Sequence, residues 1–119
     1  MKKVIWLEDD KSEVEYLKHV SDGEYDITFV SKSLDFINAD LKNYDGFVVD
    51  YNINGIRSNN LIHNIKSSTV KDKHLVVVTG VVPPMHLIND LEAYGVVFIT
   101  KGKNCVHVAM EHLFGGNSE

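Results

Sequence analysis

The chain has 119 residues, 44% of them hydrophobic, and a formal net charge of −5. That length suits one packed core and leaves no room for a second, so a single domain over residues 1–119 is expected. The acidic balance and the lack of a Lys/Arg cluster exclude a basic nucleic-acid-binding face, and no apolar run approaches the ~20 residues that span a bilayer.

The first run, Val4–Leu7, follows two lysines and is too short for a signal-peptide core, so it reads as a buried strand. Four more strands are expected at Ile27–Val30, Phe47–Val49, Leu75–Val78 and Val96–Ile99. Each is rich in Val, Ile or Phe and lacks polar alternation, as in strands covered on both faces. Helical spacing fills the intervals. Its stripes are Val14/Leu17/Val20, then Leu34/Ile37/Leu41, Leu61/Ile62/Ile65, Leu87/Ile88/Leu91 and Val106/Ala109/Met110/Leu113. Ser33 and Asp35 head the second helix, Pro83-Pro84 suit the first turn of the fourth, and Gly95 follows its end. The tail after Phe114 is rich in glycine and is expected to fray. Cys105 has no partner for an internal disulfide, which fits a reducing cytoplasm.

Five strand–helix units in alternation predict a parallel sheet with right-handed crossovers and helices on both faces. Ligands of such sheets bind beyond the carboxyl ends of the strands. Polar residues stand at four of those ends: Glu8 and Asp9 after the first strand, Asp50 ending the third, Thr79 ending the fourth and Lys101 after the fifth. Carboxylates gathered at one edge repel unless a cation sits among them. Hard oxygen ligands with no His or Cys nearby favour Mg²⁺. Such a pocket, with one ammonium and one hydroxyl, is suited to a phosphoryl group.

These residues, with Thr79-Gly80 and Phe98-Ile99-Thr100-Lys101, resemble the receiver domains of two-component response regulators from Lys3 to about Phe114. The resemblance implies a flavodoxin-like (βα)5 doubly wound sheet of order 2-1-3-4-5. It implies that Asp50 accepts the phosphoryl group from a sensor histidine kinase or phosphotransfer protein. Asp9 and Asp50 would bind Mg²⁺ directly, Glu8 through water, and Asn52 through its carbonyl. Lys101 and Thr79 would contact phosphoryl oxygens, Gly80 would leave room for the donor, and Phe98 would turn inward as the switch aromatic. A downstream protein would then read the face made by the fourth helix and fifth strand, including Pro83-Pro84-Met85-His86. The chain would be a phosphoacceptor rather than an enzyme, apart from slow self-dephosphorylation that Val81 could hinder.

The sequence departs from the family pattern at Asn54, where Pro is common, at Ser58, where Gly is common, and at Gly102, where a cis-proline is common. A non-proline residue disfavours a cis bond, so the loop after Lys101 is expected to run differently. These departures keep open a receiver-like interaction domain that works without phosphorylation. Other readings stay open at single residues: Asp9-Asp10 as the metal pair, Asp10 as a helix N-terminal acid, Phe98 as plain core. A flavodoxin is disfavoured, since Glu8-Asp9-Asp10 would repel a flavin phosphate. A haloacid-dehalogenase-type phosphatase would need an aspartate where Asn52 stands. The histidines, including His107 and His112, lack metal-ligand spacing, and Cys105 reads as a packing residue.

Overall fold

Apolar β-branched runs need cover on both faces, and the central strands obtain it by lying between two helix layers, whereas the edge strand over Ile27–Val30 has no fully buried residue. The computed structural model describes residues 2–21, 23, 25–53, 56–57, 62, 74–93, 95–102 and 104–115. In chain order these form β1 (Lys3–Leu7), α1 (Lys11–Ser21), β2 (Asp26–Val30) and α2 (Ser33–Asn38), then a 3-10 turn (Leu41–Asn43) and β3 (Gly46–Asp50). There follow β4 (Asn52–Ile53), β5 (Ile56–Arg57), β6 (His74–Thr79), α3 (Met85–Glu92), β7 (Val96–Thr100) and α4 (Cys105–Phe114). The large sheet is parallel, in the order β2-β1-β3-β6-β7; counting its own strands alone, this is 2-1-3-4-5, as expected. The two-residue strands β4 and β5 form a separate antiparallel ribbon. The expected third helix lies outside the described residues except for Ile62, which is buried, so the expected fourth and fifth helices are α3 and α4 here.

Alternation along each strand divides the core. Val4, Trp6, Val48, Val76, Val78 and Ile99 face α1 and α4, where Leu17, Val106, Ala109, Met110 and Leu113 meet them. Ile5, Leu7, Phe47, Val49, Leu75 and Val77 face the other way, against Phe36 of α2 and Leu87 and Leu91 of α3. Gly46 opens β3 where a Cβ would come within 3.1 Å of both Leu113 methyls. Its small size lets α4 lie close on the sheet.

The second helix departs from its expected stripe. Phe36 is the buried residue, edge-on to the Phe47 ring at 6.3 Å, while Leu34 and Ile37 are 65% and 50% exposed. The helix has only six residues, and Leu41 lies beyond it in the 3-10 turn. One bulky aromatic directed into the core sets the rotation of so short a helix, and two aliphatic residues are left outside. Ser33 is its first residue, with no side-chain cap bond at its start.

Pro83-Pro84 also differ, standing before α3 rather than in its first turn. Pro84 is the cap residue, with ψ 141°, and its carbonyl accepts from the Leu87 and Ile88 amides at 3.0 and 3.1 Å. A proline at 84 bars Pro83 from helical angles, so the helix starts no earlier. Gly95 follows α3 with φ +82°, a conformation that favours glycine, and its amide donates to the Glu92 carbonyl at 2.9 Å.

Candidate functional site

The parallel sheet delivers its carboxyl ends to one edge, and three acids arrive there together. Glu8 follows β1, its amide donating to the Val30 carbonyl at 3.0 Å, which carries the strand pairing one residue past β1. Asp50 is the last residue of β3. Glu8 and Asp50 are only 1% and 3% exposed, and Asp9 is half-buried. Each of the three offers a carboxylate oxygen, and these oxygens lie within 4.8 Å of one another. Charges of one sign at that spacing in a poorly hydrated place are mutually destabilising.

Lys101 answers them. Its Nζ lies 2.8 Å from Asp50 Oδ2 and 3.2 Å from Glu8 Oε1. The Lys101 amide donates to the Thr79 carbonyl at 2.9 Å, so pairing with β6 carries the chain one residue past β7 and sets the ammonium over the acids. No cis peptide bond occurs among the described residues, so the loop into Gly102 is trans, and the lysine still reaches the site. The side-chain reach of lysine and the backbone bond before it make the special loop geometry unnecessary.

The cluster sets its own charge state. Burial, then a hydrogen bond and charge from Asp50, push the Glu8 carboxyl from 4.5 up to about 7, against the Asp10 amide (3.2 Å) and Lys101, which favour the ionised form. Burial alone would lower the pKa of Lys101, but the bond and charge of Asp50, and then those of Glu8, raise it above the ordinary lysine range. Burial and Asp50 thus favour the protonated form of Glu8, and the Lys101 ammonium offsets the negative charge on the acids it touches. Oxygen donors at this spacing, buried and short of positive charge, are also what a hard divalent cation requires.

The remaining residues stand around this group. Asp10 does not join it: Asp10 Oδ1 accepts from the Ser12 and Glu13 amides at 2.9 and 3.3 Å, capping α1. The Asn52 amide donates to Asp50 Oδ1 at 3.1 Å, which puts the Asn52 backbone at the rim. Thr79 is buried at the end of β6, where its hydroxyl donates to the Val81 carbonyl at 2.6 Å and accepts from the Val81 amide at 3.1 Å. Gly80 is exposed, and a Cβ there would meet nothing within 4 Å. Phe98 is half-buried on β7, edge-on to Tyr51 with ring centroids 6.4 Å apart. Tyr51 has no motif to single it out in the sequence; its one signal is an aromatic side chain directly after Asp50. Asn54 and Ser58 lie outside the described residues. Cys105 is buried in the core, where loss of hydration raises its thiol pKa and suits packing rather than reactivity.

No protein-family model matches the sequence, and no curated protein matches it. Solved structures do. The chemotaxis protein CheY4 of Vibrio cholerae is similar with a TM-score of 0.74 at 15% identity, covering 96% of this chain and 99% of that one. The receiver domain of the Francisella response regulator 1452 gives 0.76 at 17% identity, over 99% and 100%. The response regulator TrrA of Thermotoga maritima, solved in complex with Mg²⁺ and BeF, gives 0.71 at 21% identity, over 91% and 93%. The chain therefore has the CheY-like fold of response-regulator receiver domains. Among the described residues, no helix is long and apolar enough to cross a membrane.

Proposed function

We propose that this chain is a phosphoacceptor receiver domain of two-component signalling, working as one domain and modified on Asp50. The observation that carries this reading is the Lys101 ammonium 2.8 Å from Asp50 Oδ2, beside two further carboxylates. A carboxylate oxygen of Asp50 attacks the phosphorus of a phosphohistidine on a kinase or phosphotransfer protein; the P–O bond forms as the P–N bond breaks, and the imidazole leaves with the electron pair. Lys101 stays close to the oxygen that receives the charge and donates to the phosphoryl group. Thr79 leaves its turn with Val81 to donate a second hydrogen bond. Glu8, Asp9, Asp50 and the Asn52 carbonyl would hold Mg²⁺, which neutralises charge on the acids and the phosphoryl oxygens. The raised pKa of Glu8 would set proton and cation in competition there, so cation binding would strengthen as pH rises.

The chain is not an enzyme in the ordinary sense, since its own side chain is what becomes modified, and slow loss of phosphate by hydrolysis is expected. The output is a change on the face of α3 and β7. Val81, Val82 and Met85 are exposed there, Val82 at 89%, and they support an apolar contact with a downstream protein.

The test is uptake of acetyl phosphate or beryllofluoride with Mg²⁺, in wild type and in Asp50→Asn. Mg²⁺-dependent modification of the wild type alone is expected. A site that takes up neither would leave an interaction domain that works without phosphorylation.

A further inference from the structure

Asp50, Tyr51 and Asn52 form a turn closed by the Asp50 side chain itself. The Asn52 amide donates to Asp50 Oδ1 at 3.1 Å, and between them the Tyr51 amide donates to the Val78 carbonyl at 2.9 Å. The Tyr51 ring leaves this turn into the core on the α2/α3 side of the sheet, where it is fully buried. There it meets the Phe98 ring edge-on, at 6.4 Å and 74°. Phe98 pairs with Val77 in register, two residues before Thr79, so Tyr51, Thr79 and Phe98 gather on one face at one end of the sheet.

Thr79 and Tyr51 are engaged differently. The Thr79 hydroxyl is occupied in the loop by Val81, whereas Tyr51 already touches the aromatic ring. We propose that Tyr51 is a positioning residue that carries the state of Asp50 to Phe98 by packing, in parallel with Thr79. This rests on Asp50 being the acceptor. Bonding a phosphoryl group to either oxygen of Asp50 removes the carboxylate charge, and Oδ1 becomes an ester or a neutral carbonyl oxygen. A hydrogen bond to a neutral acceptor is roughly half as strong as one to a charged acceptor, so the bond from Asn52 weakens. The turn then relaxes between Asp50 and Asn52, and the buried Tyr51 ring shifts against Phe98. A close-packed core passes on such a shift, because the rings have no void to absorb it.

The test is aromatic NMR of the full chain with ring-labelled Phe and Tyr, in Mg²⁺ with and without beryllofluoride. The Asn52 amide reports loading of the site. The expected result is that Tyr51→Leu reduces the Phe98 ring response below half of the wild-type change. Tyr51→Phe keeps that response, and Thr79→Ala retains at least half of it. A wild-type-sized Phe98 response in loaded Tyr51→Leu overturns the proposal, as does a complete loss in loaded Thr79→Ala. If Tyr51→Leu does not fold, the wild type decides: its Tyr51 ring resonances should shift together with those of Phe98, and a silent Tyr51 beside a moving Phe98 overturns it. An Asn52 amide indifferent to beryllofluoride in the wild type overturns the acceptor reading, and this inference with it.

Discussion

Lys101 Nζ lies 2.8 Å from Asp50 Oδ2 although the chain passes into Gly102 by a trans peptide, so backbone pairing with β6 and not a special loop brings the ammonium to the acids. That pair has Glu8 as a third member at 3.2 Å, and most consequences of the site follow from this triangle.

Removing the lysine should expose the cost of the carboxylate group. Breaking a buried pair from one side typically costs about 3–5 kcal/mol; Lys101 is partly exposed, so roughly 1–3 kcal/mol is expected for Lys101→Ala without metal. Mg²⁺ should restore much of that loss, because it supplies the missing charge. Urea unfolding with and without Mg²⁺ checks this. Equal losses in both conditions would count against a cation among these acids.

Glu8 should give the protein a particular pH dependence. Its carboxyl titrates near 7 when folded against an ordinary 4.5, chiefly because it is buried and then because of Asp50. A raised carboxyl pKa means the folded state holds the proton more tightly. The resulting stabilisation is complete below 4.5 and is lost as pH rises through 7. From pH 5 to pH 8, metal-free wild type should lose up to about 3 kcal/mol relative to Glu8→Gln. Urea midpoints of the two proteins across that range measure the difference, and a wild type that gains stability relative to the variant contradicts the assignment.

Asp50→Asn should act on Glu8 as well as on phosphate uptake. It removes the Asp50 charge, which after burial and the hydrogen bond with Asp50 raises the Glu8 pKa, so the Glu8 pKa should fall. Carbon-detected NMR titration of the Glu8 side chain reads this directly. An unchanged titration would mean that the Asp50 charge does not act on Glu8.

Gly102→Ala should be tolerated. A Cβ at this position meets nothing within 4 Å, and its φ is not in the left-handed region. Loss of unfolded-state freedom should add about 0.4–1 kcal/mol of stability, with beryllofluoride uptake unchanged. Thermal unfolding together with uptake provides the check, and a loss of uptake would show that the loop needs glycine.

In α2, Phe36→Ala should cost about 3–5 kcal/mol, whereas Leu34→Ala should stay within about 0.5 kcal/mol. The contrast follows from burial, since Phe36 is fully enclosed and Leu34 is 65% exposed. Comparable losses at both positions would mean that something covers Leu34.

The five strands of the sheet were legible because runs such as Val4–Leu7 and Leu75–Val78 have no polar face, and alternation with helices then leaves few topologies. The polar residues at the strand ends were legible for a related reason: Glu8, Asp50, Thr79 and Lys101 stand where an apolar run stops, and a parallel sheet collects such ends at one edge. Chain order and residue type alone determined that much. Local periodicity could not decide which face of a six-residue helix turns inward, and at α2 the volume of Phe36 outweighed the spacing of Leu34 and Ile37. Nor could it divide Glu8-Asp9-Asp10 into a buried acid, a half-buried one and a helix cap; that required the position of α1 over the end of β1. The distance from Lys101 to Asp50, the raised pKa of Glu8 and the meeting of Tyr51 with Phe98 join residues far apart in the chain. Such relationships depend on strand register and on exclusion of water, and both exist only once the chain has folded.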